Sequence, residues 1–228
     1  MKNIFITGGS SGIGLRLTVD FLKQHQRVFS CFHTNPKPLK YLQNKFTNIA
    51  PVFLDLADTN SLTFPYSNID ILVLTAGVIH NQLLIKENSM NFQNIIDQNL
   101  SANFEICKKI IPLMKGSTNP HIIFISSHSG YIGNAGQISY SASKAGLIGL
   151  ANTIAREHAK DNIKVNTILP GFMKSKQTLA LAKGLQTNYA KKNMLGRFNT
   201  LAEVSAFIQN ITSTQNISGQ IFKLDSRV

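Results

Sequence analysis

Thr7-Gly-Gly-Ser-Ser-Gly-Ile-Gly14 is the stretch of this 228-residue sequence that decides its fold. An apolar run of strand length, 3–7, precedes the glycines, and a helical pattern, 13–26, follows them. Glycines at such a junction let the backbone turn tightly and approach a pyrophosphate, which then lies at the positive end of the helix. The stretch therefore predicts a dinucleotide site with contacts from Gly8, Ser10, Ser11, Gly12, Ile13 and Gly14.

Strand-like and helical patterns alternate along the rest of the chain. The strand-like runs are 3–7, 27–32, 49–54, 69–75, 121–126, 163–169 and 220–224, and the helical patterns are 13–26, 38–46, 90–114, 138–160 and 201–212. Several runs are apolar on both faces, as parallel strands covered by helices are. The alternation predicts an α/β fold with a doubly wound, mainly parallel seven-stranded sheet and helices on both faces. Because no linker-like stretch divides the chain, we expect a single domain over residues 1–228.

The composition limits the classes of function. Charged residues make up 15% of the chain, and its formal net charge is +12 because acidic residues are scarce. The basic residues form no long run and there is no Trp, so we expect no nucleic-acid partner. We expect no metal site either, since the histidines lack ligand-like spacing. No apolar run reaches the roughly 20 residues of a membrane span and there is no signal peptide. We therefore expect a soluble cytoplasmic protein with no membrane contact.

Two further strand ends are predicted to meet the nucleotide. Asp55 and Leu56 follow the third strand, where the carboxylate would accept a hydrogen bond from an adenine amino group. Alone, such an Asp is more often a helix cap. Thr75, Ala76 and Gly77 close the fourth strand with small residues that leave room for a ribose.

The end of the second strand distinguishes the two nicotinamide cofactors. An NAD site usually places a carboxylate there, on the ribose 2′-hydroxyl. Here Phe32 is followed by hydroxyl, amide and imidazole groups at His33, Thr34 and Asn35, with lysines at 37 and 40. These groups suit a 2′-phosphate, so NADP (as NADPH) is favoured and NAD is the alternative.

Tyr140 and Lys144 lie four residues apart in a helical pattern and so share a face. The ordinary pKa of tyrosine is near 10. A neighbouring ammonium, together with an oxidised nicotinamide, would lower that pKa enough for proton exchange. Ser127 lies at a predicted strand end thirteen residues before Tyr140, where its hydroxyl would hold a substrate oxygen. The Tyr–Lys pair alone also occurs on helix surfaces; its conjunction with Ser127 and the glycine turn points to proton transfer.

Over its whole length the chain resembles the short-chain dehydrogenases/reductases, in their single-domain branch with a Rossmann-like fold. The resemblance rests on T-G-x-x-x-G-I-G at 7–14, an adenine-site Asp at Asp55, and Y-x-x-x-K at Tyr140 and Lys144. It implies a catalytic tetrad made of Asn99, Ser127, Tyr140 and Lys144. In this tetrad Lys144 would bind the nicotinamide ribose and Asn99 would hold a water. The further cofactor contacts that it implies are Tyr140, Lys144, Pro170, Gly171, Met173 and Ser175.

Within the family the chain looks most like the 3-oxoacyl-acyl-carrier-protein reductases of fatty acid biosynthesis. The implied activity is NADP-dependent reduction of a carbonyl to an alcohol by hydride transfer. One candidate substrate is a 3-oxoacyl thioester of acyl-carrier protein or coenzyme A, and another small ketone is the alternative. A non-catalytic nucleotide-binding regulator is a further alternative, although regulators typically lose Tyr or Lys. An enoyl reductase has six residues between Tyr and Lys, whereas three intervene here.

The resemblance also implies an oligomer, and the chain departs from the family pattern in two places. The expected state is a homotetramer, or else a dimer, packed through the long helices 90–114 and 138–160. Thr75 replaces an Asn of the family, which we expect to alter local bonding without loss of activity. The family's terminal D-G-G is replaced by Asp225-Ser-Arg-Val228, which puts the usual final turn in doubt.

Residues from about 172 to 197 are expected to form a variable substrate lid. Acidic residues are absent between 173 and 197, and the basic residues there are Lys174, Lys176, Lys183, Lys191, Lys192 and Arg197. A positive field at the mouth of a site favours anionic ligands. We therefore expect an anionic substrate or one carried on an acidic partner; a solvated helix face is the alternative.

Overall fold

A parallel β-sheet organises the chain in the computed structural model, which describes residues 1–62, 68–173 and 183–227. Its strands are β1 (Asn3–Thr7), β2 (Arg27–Phe32), β3 (Ile49–Phe53), β4 (Ile71–Leu74), β5 (His121–Ile125), β6 (Lys164–Leu169) and β7 (Ile221–Lys223). The seven strands are ordered β3-β2-β1-β4-β5-β6-β7, and every neighbouring pair is parallel. The predicted doubly wound sheet is confirmed, and among the described strands the parallel arrangement is complete.

Helices cover both faces of this sheet. They are α1 (Gly12–Lys23), α2 (Lys37–Gln43), α3 (Ser89–Ile96), α4 (Ala102–Met114), α5 (His128–Ile132), α6 (Ile138–Glu157), α7 (Lys183–Lys191) and α8 (Leu201–Ile211). Leu17 of α1 and Val204 of α8 are buried in one apolar cluster, and Ile110 of α4 and Leu147 of α6 in the other. Strand residues alternate between the two clusters, as period-two side chains must. The strands are therefore apolar on both faces.

The predicted element bounds agree with the structure to within about three residues, the usual uncertainty of helix and strand ends. The predicted helix 90–114 differs, because it consists of α3, a π-helical turn at Asp97–Ser101, and α4. Such turns often occur at functional sites. Two described helices, α5 and α7, were not predicted: α5 is one short turn, and α7 lies within the segment expected to be a lid.

The strand order reverses at β1, which lies between β2 and β4. Ligands of open parallel sheets bind outside the carboxyl ends of the strands at such a reversal. Thr75, which follows β4, joins the two central strands here: its amide donates to Thr7 Oγ1 at 3.0 Å, and its hydroxyl donates to the Thr7 carbonyl at 2.6 Å. The threonine that replaces the family's Asn thus braces β1 against β4.

Subunit packing through the long helices would need exposed apolar residues on α4 and α6. Phe104 on α4 is 48% exposed, as expected of a residue that a partner would cover. Ile111 and Leu147, however, are buried within the subunit, where they pack in the core beneath α4 and α6. These two residues therefore carry no argument for an oligomer, which stays a prediction. In the described part of the chain, no helix is long and apolar enough to cross a membrane.

Candidate active site

A cleft of about 490 Å³ opens at the carboxyl ends of the central strands. The glycine turn between β1 and α1 forms one end of it, and Ser127, Tyr140 and Lys144 form the other. The ends of β2, β3 and β4 and the turn after β6 supply the walls between them. The sheet therefore brings into one cleft the motifs that the sequence keeps far apart.

Backbone geometry defines the nucleotide end of the cleft. A Cβ added at Gly14 would lie 2.3 Å from the Gly8 carbonyl oxygen, so no side chain fits there. Around Gly12, whose φ is +51°, no described atom lies within 4 Å of an added Cβ. Among the described residues no side chain caps α1, and its first turn has no acid. Free N–H groups at an uncapped helix start suit a pyrophosphate, so this end fits the nucleotide.

The ends of β2 and β3 meet beside the nucleotide end. His33 and Asp55 both line the cleft, with His33 Nε2 3.7 Å from Asp55 Oδ2. Phe32 also lines the cleft and packs edge-on against Phe53. Asn35 does not line it, because the Asn35 side chain turns back to accept a hydrogen bond from the Lys37 amide at 3.2 Å.

Tyr140 and Ser127 are joined at the chemical end. Burial raises the pKa of Tyr140, and a hydrogen bond with Ser127 opposes that shift. The Ser127 oxygen also accepts from the Ser129 amide at 3.1 Å, which fixes the hydroxyl at the start of α5. Burial is the larger of these two effects, and the lowering expected of Lys144 together with an oxidised nicotinamide stays a prediction.

Lys144 is buried beneath the tyrosine. Its Nζ lies 5.8 Å from the centre of the Tyr140 ring and donates to the Ile125 carbonyl at 2.9 Å. Burial lowers the pKa of Lys144 to about 8. The ammonium therefore stays mostly charged at neutral pH, within reach of the cleft that it lines.

Asn99 lies on the π-helical turn, fully buried, and does not line the cleft. Its side-chain amide donates to the Val78 carbonyl at 2.8 Å and accepts from the Val78 amide at 2.7 Å. It also donates to Ser143 Oγ at 3.1 Å. The Asn99 side chain is thus engaged with the loop after β4 and with α6, and its role in holding a water stays a prediction.

The structure brings together most of the predicted site. Apart from Asn99 and Asn35, the predicted residues that the structure describes line the cleft, and Ser175 lies outside the described residues. Sequence reasoning missed several lining residues, including Ile79, Gln98 and Leu201. Gln98 could have been found as the neighbour of Asn99, but Leu201 begins α8 and only the sheet order brings it here.

Comparison with known proteins agrees with this geometry. A model of the short chain dehydrogenase family matches residues 2–186. The chain belongs to this family. It is therefore a short-chain oxidoreductase that uses a nicotinamide cofactor, and the expected fold and class of enzyme are confirmed.

Individual proteins are also similar to this chain over nearly all of its length. It is 30% identical to a 3-oxoacyl-[acyl-carrier-protein] reductase FabG of Thermotoga maritima, over 98% of this chain and 96% of that protein. It is 36% identical to the protein of the same name from Rickettsia typhi, over 96% of this chain and 93% of that protein. A protein of that name from Chlamydia muridarum is 29% identical, over 98% of this chain and 96% of that protein.

Proposed function

We propose that this enzyme reduces a 3-oxoacyl thioester carried by an acyl-carrier protein, with NADPH as the hydride donor. The observation that carries the proposal is the hydrogen-bonded Tyr140–Ser127 pair beside buried Lys144, in the same cleft as the uncapped start of α1. The names of its relatives support the substrate class. Burying the Lys144 ammonium costs folding free energy. A nucleotide-binding regulator without catalytic activity would gain nothing from that cost.

NADPH is favoured over NADH by the chemistry at the end of β2. The polar groups that line the cleft there are the His33 imidazole and the Thr34 hydroxyl, and the only carboxylate beside them among the described residues is Asp55, after β3. An imidazole and a hydroxyl can donate to a 2′-phosphate. We propose that His33 and Thr34 hold this phosphate and that the α1 amides hold the pyrophosphate.

When bound, the cofactor supplies a hydride to the carbonyl carbon of the substrate. Ser127 then donates a hydrogen bond that orients the carbonyl oxygen, and the Tyr140 hydroxyl gives its proton to that oxygen as the hydride arrives. The charged Lys144 binds ribose hydroxyls and stabilises the tyrosinate that results, which solvent reprotonates. Asn99 acts as a positioning residue, because it holds the loop after β4 against Ser143 of α6, the helix that carries Tyr140 and Lys144.

The expected lid is proposed to attract an acidic carrier. The described basic residues there are Lys183, Lys191, Lys192 and Arg197, while Lys174 and Lys176 lie outside the described residues. An acyl-carrier protein is strongly acidic, and a coenzyme A thioester carries phosphates. Attraction of either should weaken as ionic strength passes roughly 0.1 M, where the screening length is about 10 Å.

The test follows NADPH and NADH oxidation spectroscopically with a 3-oxoacyl-carrier protein, the matching coenzyme A thioester and a small neutral ketone, over a salt series. We expect the highest kcat/KM with the carrier-bound substrate and NADPH, and a salt dependence confined to the charged substrates. Lys191→Glu with Lys192→Glu should lower kcat/KM for the two charged substrates and leave it unchanged for the neutral ketone. A uniform salt response would refute the role of the lid, and cofactor binding without any turnover would favour the regulator.

A homo-oligomer is proposed on the family relationship and on exposed Phe104. Light scattering at micromolar concentration should give a tetramer. A stable monomer would contradict it.

A further inference from the structure

The segment that follows β7, residues Leu224–Arg227, bonds to both ends of the expected lid. We call it the tail. The Leu224 amide donates to the Leu169 carbonyl at 2.9 Å, just before the lid begins. Where the lid returns, the Met194 amide donates to the Ser226 carbonyl at 3.0 Å and the Leu195 amide donates to Ser226 Oγ at 3.3 Å. One short segment thus connects the two ends of the lid.

Arg227 fixes the conformation of this tail. Its side chain is only 11% exposed, and its Nε and Nη2 both donate to Asp225 Oδ2. The guanidinium lies 5.1 Å from the centre of the Phe172 ring, which in turn packs on Tyr189 of α7 at 4.4 Å. A planar guanidinium suits both contacts, because it offers a forked donor at its edge and stacks on an aromatic face.

The wall of the cleft lies directly against this pair. Gly171, which lines the cleft, approaches Asp225 so closely that a Cβ added to it would lie 2.5 Å from Asp225 Cβ. Met173, which follows Phe172 in the chain, lines the cleft as well. A substitution at Arg227 can therefore shift the wall by two routes. One is Asp225, which contacts Gly171, and the other is the ring of Phe172.

We propose that Arg227 is a positioning residue, which holds the cleft wall 171–173 and the returning end of the lid through Asp225 and Phe172. The resemblance to the family implies a glycine at this position, where this chain has Arg227.

His128 supplies an independent reporter, because it follows Ser127 and is faced by the tail. Burial lowers the pKa of His128; Arg227 lowers it further, Asp225 raises it and Lys223 lowers it. Removing the Arg227 charge deletes one lowering contribution and leaves the Asp225 carboxylate unpaired. Both changes raise the His128 pKa and place a cation beside Ser127 at a higher pH.

The experiment compares Arg227→Ala and Arg227→Lys with the wild type. The matched control is Arg16→Ala, which breaks an exposed Arg–Asp pair on α1. The first readout is limited trypsin digestion without substrate. We expect cleavage after Lys191, Lys192 and Arg197 to accelerate about fivefold in both Arg227 variants and not in the control, since local opening controls such cleavage.

The second readout is the titration of His128 by NMR and the acid limb of the kcat/KM profile. Both should move to higher pH in Arg227→Ala and stay near wild type in Arg227→Lys, which keeps the charge but loses the fork. Unchanged digestion together with an unchanged His128 titration would overturn the proposal, as would faster cleavage spread evenly over the chain. If Arg227→Ala does not fold, Arg227→Lys still gives the digestion result. Digestion and NMR need no substrate, so they stay decisive if the proposed substrate is wrong.

Discussion

The two ends of the cleft use different chemistry. At the nucleotide end, the described part of the chain offers α1 no side-chain cap, and the first residues of α1 line the cleft. At the chemical end, the working groups are the side chains of Ser127, Tyr140 and Lys144, of which Lys144 is buried and Tyr140 is half-buried. The difference implies two kinds of sensitivity. At the nucleotide end, most exchanges of one side chain for another should be tolerated, but a Cβ added at Gly14 should not be. The chemical end should fail on the loss of one polar atom.

Tyr140→Phe is expected to have the largest effect. It removes one hydroxyl and leaves the ring in place, so kcat should fall at least about a thousandfold, within the range that general acid catalysis contributes. The Kd of NADPH, measured by fluorescence titration, should stay within about twofold, because the nucleotide end is untouched. Tyr41→Phe, at an exposed tyrosine on α2, is the control. Turnover of a genuine substrate at the wild-type rate would remove Tyr140 from the mechanism.

Gly14→Ala tests the other end. The new Cβ would lie 2.3 Å from the Gly8 carbonyl and 2.7 Å from Thr75 Oγ1, so the turn must open. We expect the NADPH Kd to rise about a hundredfold, as a roughly 3 kcal/mol loss of affinity implies. Gly149→Ala in α6 is the control, because no described atom lies within 4 Å of its added Cβ. That control should gain about 0.5–1 kcal/mol of stability. An unchanged Kd in Gly14→Ala would show that this end does not depend on close backbone approach.

The sequence predicted those features that depend on local pattern. The glycine turn, the strand–helix alternation and the spacing of Tyr140 and Lys144 are local, and each was placed correctly. Features that depend on burial were not accessible. The raised pKa of Tyr140 follows from packing, and the engagement of Asn99 with Val78 follows from a π-helical turn that periodicity does not reveal. Leu201 reaches the cleft only through the sheet order, which no short motif encodes.

Phe32→Asp should shift the choice of cofactor at the nucleotide end, where a side chain does matter. The new carboxylate would repel a 2′-phosphate and accept a bond from a 2′-hydroxyl, so the ratio of the NADH to the NADPH Kd should fall about tenfold. Because Phe32 also packs on Phe53, Phe32→Asn is the control that loses the ring without adding charge. Calorimetric titration of both cofactors gives the ratios. If Asn and Asp shift the ratio equally, packing and not charge sets the preference.

The smallest effect concerns stability at the chemical end, where Lys144 is buried. Its pKa is lowered to about 8, below the ordinary lysine value. Below pH 8 both folded and unfolded chains hold the proton, so the folded chain carries the full penalty of a buried ammonium. Between about pH 8 and 10.5 the folded chain releases its proton first, the unfolded chain holds more protons, and stability rises with pH.

Two buried thiols act in the opposite direction. Burial raises the pKa values of Cys31 and Cys107, so the folded chain keeps protons that the unfolded chain loses above about pH 8.5. Stability from the thiols therefore falls as pH rises, and the wild-type curve alone does not isolate the lysine. Lys144→Met does isolate it, because both proteins share the same thiols and their contributions cancel in the difference.

The prediction is thus a difference between two urea-unfolding series, at pH 7 and pH 10. Lys144→Met should unfold with a free energy about 1 kcal/mol above wild type at pH 7, because relief of the buried charge exceeds the lost bond to the Ile125 carbonyl. The gap should shrink or reverse by pH 10, where wild-type Lys144 is mostly neutral when folded. Lys160→Met, at an exposed lysine, should show no such trend. If the Lys144→Met and wild-type curves stay parallel from pH 7 to 10, the ammonium is better solvated than its burial implies. Burial of the Lys144 ammonium at the chemical end would then cost the folded protein little stability.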